Sequence, residues 1–85
     1  MDFEYDPDKS QSNQEKHGID FEEAQRLWVD EDGLEIPAIC EIEPRFARFA
    51  MLDGKVWAAF FTMRGETIRI ISVRRARTKE VELYD

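Results

Sequence analysis

Hydrophobic and polar positions divide the chain into a helical first part and a strand-forming second part. Asp6-Pro7 offers an N-cap followed by proline at the first helical position, and Gly18 offers a stop, which predicts a helix over Pro7 to His17. Its interior, DKSQSNQEK, carries no apolar residue, so apolar packing cannot dock it unless aliphatic stems and the flanking Phe3 and Tyr5 do so. Asp20 followed by Glu23 opens a second helix, and Phe21, Ala24, Leu27 and Trp28 recur at spacings of three and four. This predicts an amphipathic helix over Phe21 to Trp28, ended by the acidic turn Asp30-Glu31-Asp32-Gly33. Leu34 to Ile42 has strand character interrupted by Pro37, which places it at an edge or makes it irregular.

Three strands follow as a meander. Arg45 to Leu52 passes through Asp53-Gly54, a two-residue hairpin signal, into Lys55 to Thr62, and Arg64-Gly65 leads into Glu66 to Val73. In the last strand strict alternation sends Ile68 and Ile70 to one face and Arg69, Ile71 and Val73 to the other. Arg69 then needs an anion, either a carboxylate of the protein or a phosphate of a ligand. Thr78 to Tyr84 reads as a closing helix with Thr78 as cap and Glu80 in its first turn. The predicted fold is α+β: two N-terminal helices packed on a curved antiparallel sheet of three to four strands, with a short C-terminal helix.

At 85 residues and 42% apolar content the chain reads as one small domain over 1–85, marginal in core size. The single cysteine, Cys40, allows no intrachain disulfide, and with the lone His17 it makes no Cys/His zinc cluster, so a reducing cytoplasm is the expected home. The N-terminus has no basic start with an apolar run, and no stretch of eighteen apolar residues occurs, so neither a leader nor a membrane span is expected.

Charge changes this picture more than composition does. Residues 1–44 hold fourteen acidic and three basic side chains, a net of −11, whereas residues 45–79 hold nine basic and two acidic, a net of +7. The whole chain stands at −7, which argues against diffuse binding along nucleic acid but not against a local basic groove. The acidic half suits a partner that carries a basic segment.

Several side chains carry candidate chemistry. His17, the one group with an unperturbed pKa near neutrality, suits a proton transfer, with Lys16 beside it to orient a phosphate; a histidine at a helix C-terminus also has a purely structural use. Thr62-x-Arg64 and the downstream Arg69, Arg74, Arg75 and Arg77 can present guanidinium forks to a phosphodiester, or pair within the protein. Trp57, Phe60 and Phe61 interleave with these cations; an exposed ring could stack on a base, although a domain this small needs most of them in its core. Glu22, Glu23, Asp30, Glu31 and Asp32 lack the spacing of a calcium loop and read as a solvated helix face with an acidic turn. No metal site or cofactor is expected.

Taken together, Phe3-x-Tyr5-Asp6-x-x-Lys9, Asn13-x-x-Lys16-His17-Gly18-Ile19-x-Phe21-x-Glu23-Ala24, Thr62-x-Arg64 and Arg69-Ile70-Ile71-Ser72-x-Arg74-x-Ala76-x-x-x-Glu80-x-x-x-Tyr84 resemble the BrnT family of ribonuclease toxins from type II toxin–antitoxin systems. The resemblance covers nearly the whole chain. It implies a RelE-like fold, a bacterial cytoplasmic setting, metal-independent RNA cleavage that arrests translation, and a BrnA-like antitoxin with a DNA-binding domain. Such pairs typically assemble with two copies of each chain, so DNA is reached only through the antitoxin. The resemblance also implies active-site roles for Lys16, His17, Arg64, Arg69 and Arg74, with Glu22 or Glu23 as base or orienting acid; the residue reading adds RNA contacts from Thr62, Arg74, Arg75, Arg77 and Trp57. Two departures stand out: the first helix is more polar than the family's version, and residues 30–44 are more acidic. A non-catalytic module that binds the antitoxin as a corepressor is the alternative function.

Overall fold

The computed structural model describes residues 1–38 and 44–85. Its elements in chain order are β1 (Asp2–Glu4), α1 (Pro7–His17), α2 (Phe21–Ala24) continued by a 3-10 turn (Gln25–Val29), β2 (Leu34–Ala38), β3 (Arg45–Leu52), β4 (Lys55–Arg64), β5 (Thr67–Arg75) and α3 (Thr78–Tyr84). The strands form one sheet in the order β1-β5-β4-β3-β2. β2 to β5 run antiparallel to their neighbours, and β1 lies parallel to β5.

The α+β class agrees with the sequence reading, but the sheet does not. It has five strands among the described residues and is mixed rather than antiparallel, because the N-terminal segment adds β1 along residues 67–69 of β5. Pro37 lies on β2, which pairs on one side only, as a missing N–H requires. The predicted extension of this strand through residues 39–42, and Cys40 with it, lies outside the described residues. The Asp53-Gly54 hairpin forms as expected, with φ of 52° and 78° at its two residues, the backbone that a type I′ turn demands.

The second helix is shorter than predicted. After Ala24 it tightens into the 3-10 turn, and its terminal carbonyls are taken by a side chain from the sheet: Arg48 Nε donates to Leu27 O at 3.1 Å and Nη2 to Asp30 O at 2.7 Å. Arg48 is 8% exposed and also meets Glu35 at 2.8 Å. A Cβ added at Gly33 would run into its guanidinium, which explains the glycine at the end of the acidic turn.

Strict alternation in β5 is also corrected. Phe60 pairs with Ser72 and Phe61 with Ile70, so Ile71 is an extra, unpaired residue. This bulge flips the register, and Val73 rejoins Ile68 and Ile70 in one core cluster. That cluster fills the space between the sheet and the helix pair, with Phe21, Ala24 and Leu27 against Ala50, Trp57, Ala59 and Phe61. A second cluster on the opposite face packs Val81, Tyr84 and Ala76 against Ala47, Phe49, Val56 and Ala58. The sheet is therefore covered on both faces, by α1 and α2 on one and by α3 on the other.

The polar first helix docks through buried hydrogen bonds. Ser10 Oγ accepts from Phe21 N at 2.9 Å, Asn13 Nδ2 donates to Ile19 O at 2.8 Å, and Asn13 Oδ1 accepts from Val73 N at 3.1 Å. Asn13 thus joins helix, loop and strand just past the bulge, beyond the end of β1. At the other end of the chain the N-cap of α3 is Arg77 rather than Thr78; its N–H is satisfied by the Glu80 carboxylate at 2.8 Å. No helix among the described residues is long and apolar enough to cross a membrane.

Candidate active site

The β4–β5 hairpin places the central arginines. Its turn begins at Gly65, whose φ of 61° suits glycine at the first position of a two-residue loop. Thr62 then lies opposite Arg69, and Arg64 opposite Thr67, so positions 62, 64 and 69 share one face of the sheet. β1 sets Glu4 opposite Arg69 on that same face. Arg64 Nε stands 3.7 Å from Glu4 Oε1, and Arg69 Nη1 stands 3.8 Å from Glu4 Oε2. Both separations exceed hydrogen-bonding length. The side chains of Arg64, Arg69 and Glu4 are 60%, 31% and 39% exposed, so solvent reaches all three.

Lys16 and His17 come from the last turn of α1, which ends where Gly18 takes a left-handed φ of 78° and donates its N–H to Gln14 O at 2.9 Å. With Lys9, Ser12 and Asn13 of α1 and the bulge residues Ile71 and Ser72, they line a shallow groove of about 200 Å³. Its described lining carries three nitrogen bases and no carboxylate. Ser72 follows Arg69 by three residues, roughly 10 Å along the strand. The arginine pair points to the face opposite Ile68 and Ile70, the side that α3 covers, whereas the Lys16–His17 groove opens beside α1, so the two lie on different sides of β5.

The other candidates have different surroundings. Arg74 makes a two-pronged pair with Glu80 at 2.7 and 2.8 Å and lies 5.1 Å from the Phe60 ring centre, tying α3 to the sheet. Its guanidinium hydrogen bonds to Glu80 hold the Glu80 carboxyl below its ordinary pKa, and the Arg74 pKa rises in turn. Thr62 is 4% exposed and donates its hydroxyl to Pro44 O at 2.6 Å. Trp57 is 9% exposed and belongs to the core, with Arg75 5.6 Å from its ring centre where a base would have to stack. Arg75 and Arg77 are exposed. Glu22 is also exposed but lines a separate depression of about 290 Å³ with Tyr5, Pro7, Ser10, Gln11, Gln14 and Asp20, away from the His17 groove. Glu23 lies next to it in the first turn of α2, its N–H capped by Asp20 at 2.8 Å.

The acidic turn is more organised than a solvated face. Asp30 accepts from Tyr84 Oη at 2.6 Å, Met51 N at 2.8 Å and Asp32 N at 3.0 Å. The Tyr84 hydrogen bond, followed by that from Met51, lowers the Asp30 pKa. The same bond to Asp30, with burial next, pushes the Tyr84 hydroxyl up to about 12.

Glu4 escaped the sequence reading, and Asn13 entered it only as a motif residue without a role. The alternation of Phe3, Glu4 and Tyr5 is a strand signal that could have found Glu4, and the Ser10–Asn13 spacing puts two short polar side chains on one helix face.

The fold is a small α+β domain that exposes Arg64 and Arg69 on one side of its sheet and Lys16 and His17 on the other. The family model described as "Ribonuclease toxin, BrnT, of type II toxin-antitoxin system" matches residues 5–80, and the chain belongs to that family. No curated protein matches it. Membership makes it the toxin half of a toxin–antitoxin pair and brings an antitoxin as partner.

Proposed function

We propose that this chain is an endoribonuclease that cleaves RNA without a metal ion: a 2′-hydroxyl attacks its own 3′ phosphate, the P–O5′ bond breaks to leave a 2′,3′-cyclic phosphate, and the departing 5′-oxygen takes a proton from solvent. The observation that carries this reading is the convergence of Arg64 and Arg69 on one anion at distances that leave both guanidinium groups open to a stronger acceptor. A phosphodiester presents two non-bridging oxygens, and two guanidinium groups can each take one as negative charge builds in the transition state. DNA lacks the attacking hydroxyl and is not a substrate. His17 or a carboxylate accepts the proton of that hydroxyl. Lys16 and His17 stand on the α1 side of β5 and the arginine pair on the other, so the RNA passes the edge of β5 beyond β1 to meet both. Thr62 and Arg74 contribute indirectly in this scheme, by shaping β4 and holding α3, while the exposed Arg75 and Arg77 meet flanking phosphates.

Translation stops because the RNA it requires is cut. A BrnA-like antitoxin with a basic segment neutralises the toxin in the cytoplasm, two copies of each chain assembling, and DNA is contacted through the antitoxin. The acidic residues 1–44 supply the complementary charge. That same acidity, within a net charge of −7, favours a second reading in which the chain has lost cleavage and acts as a corepressor bound to the antitoxin.

Purified, antitoxin-free protein incubated with a defined RNA in EDTA separates the two. Cleavage that leaves 2′,3′-cyclic phosphate ends and disappears in Arg64→Ala is the expected result. Intact RNA, even with ribosomes added, transfers the function to the corepressor.

A further inference from the structure

We propose that Glu4 occupies the phosphate seat of the free protein and sets how tightly RNA binds, by competing with substrate phosphate for Arg64 and Arg69. This rests on the reading of that arginine pair as the phosphate-binding site. Glu4 meets the pair as a phosphodiester would, with Oε1 toward Arg64 at 3.7 Å and Oε2 toward Arg69 at 3.8 Å. Its backbone is held there by β1, which pairs with residues 67–69, and by Phe3, whose ring meets Trp28 edge-on at a centroid distance of 5.2 Å.

The carboxylate is nevertheless weakly held. Neither contact reaches hydrogen-bonding length, and at 39% exposure the side chain can rotate into water without moving β1. The contrast with Glu80, clamped at 2.7 and 2.8 Å by Arg74, shows what a committed carboxylate looks like in this protein. Glu4 keeps the two guanidinium groups compensated in the free protein and yields to a ligand that forms real hydrogen bonds with them. Substrate must do work against this carboxylate, so it lowers RNA affinity. Glu4 lies one residue before the segment matched by the family model, residues 5–80.

The test is binding of a 2′-O-methyl oligonucleotide, which cannot undergo the cleavage reaction, measured by fluorescence anisotropy at low salt. Glu4→Gln keeps the shape and removes the charge; it should bind about three- to fivefold tighter than the wild type, the upper part of the range expected for an exposed ion pair because two pairs are lost at once. Glu4→Ala should do the same, which guards against a defect peculiar to one variant. The exposed Glu82→Gln changes net charge equally and should bind as the wild type does. The gain should vanish in an Arg64→Ala/Arg69→Ala background. Unchanged or weaker binding by both Glu4 variants, or an equal gain from Glu82→Gln, overturns the proposal. Cleavage of unmodified RNA is scored in parallel: a wild type that does not cleave, with Glu4→Gln still binding tighter, removes the catalytic reading and leaves the seat. A wild type that cleaves, with affinity unaltered in the Glu4 variants, does the reverse.

Discussion

Arg48 and the Arg64–Arg69 pair are the same chemistry put to opposite uses. Arg48 is 8% exposed, and its fork is taken up by Leu27 O, Asp30 O and Glu35 at 2.7 to 3.1 Å. Arg64 and Arg69 share one exposed carboxylate at 3.7 and 3.8 Å. A guanidinium that leaves bulk water needs near-complete hydrogen bonding, and one that has it is unavailable to a ligand. The difference teaches that a basic region is not uniformly a binding region. Arg48 and Arg74 hold the fold together, and the loosely compensated pair is the one that the proposed function assigns to substrate.

Breaking the structural side of the comparison should have the largest effect. Arg48→Ala removes donors from two backbone carbonyls and a carboxylate, and should cost about 3 kcal/mol in urea unfolding. Arg64→Ala or Arg69→Ala should reverse the pattern: cleavage falls by about 10²- to 10³-fold, while stability stays within about 0.5 kcal/mol of wild type. Equal stability losses at positions 48 and 69 would erase the distinction.

The docking of α1 sharpens it further. Asn13→Ala leaves the buried Val73 N–H and Ile19 carbonyl without their partner and should destabilise by about 2 kcal/mol. It should also weaken cleavage, since Lys16 and His17 ride on the same helix; a variant that unfolds less easily than wild type would remove the polar anchor from the account.

The smallest expected effect concerns pH. Asp30 and Glu80 are held below their ordinary values of 3.8 and 4.5, so their contribution to stability is present above those values and lost as pH falls through the depressed ones. Tyr84 has the opposite sign: its contribution is full below pH 10 and disappears as pH rises toward about 12. Tyr84→Phe should therefore cost about 1 kcal/mol at neutral pH and flatten the alkaline limb of a stability-against-pH curve, which thermal melts across pH 8 to about 12 would record.

Local signals were legible wherever one element could decide its own conformation. Proline at a helix start, glycine at its end, the Asp53-Gly54 turn and the apolar spacing of Phe21, Ala24 and Leu27 act within a few residues, so α1, the start of α2, and the β3–β4 hairpin could be read from the chain. β1 could not, because a three-residue strand is stable only once β5 exists beside it. The same reason hid the face of Val73, which depends on a bulge that forms between two strands.

The candidate site divides along the same line. His17 and Lys16 at a helix end, and Arg64 and Arg69 on neighbouring strands, were visible as residue types in a motif. Arg74 and Thr62 looked equally available until the fold brought Glu80 to one and Pro44 to the other. The alternation around Glu4 hinted at a strand, but nothing local said that it faces arginines sixty residues or more away. The sequence by itself determined the helices, the hairpins, the separation of charge and the family motifs, since these rest on short-range sterics and composition. Only the tertiary structure decided which cations are spent on the fold and which stay open, because the partners that neutralise a guanidinium come from distant segments brought together in space.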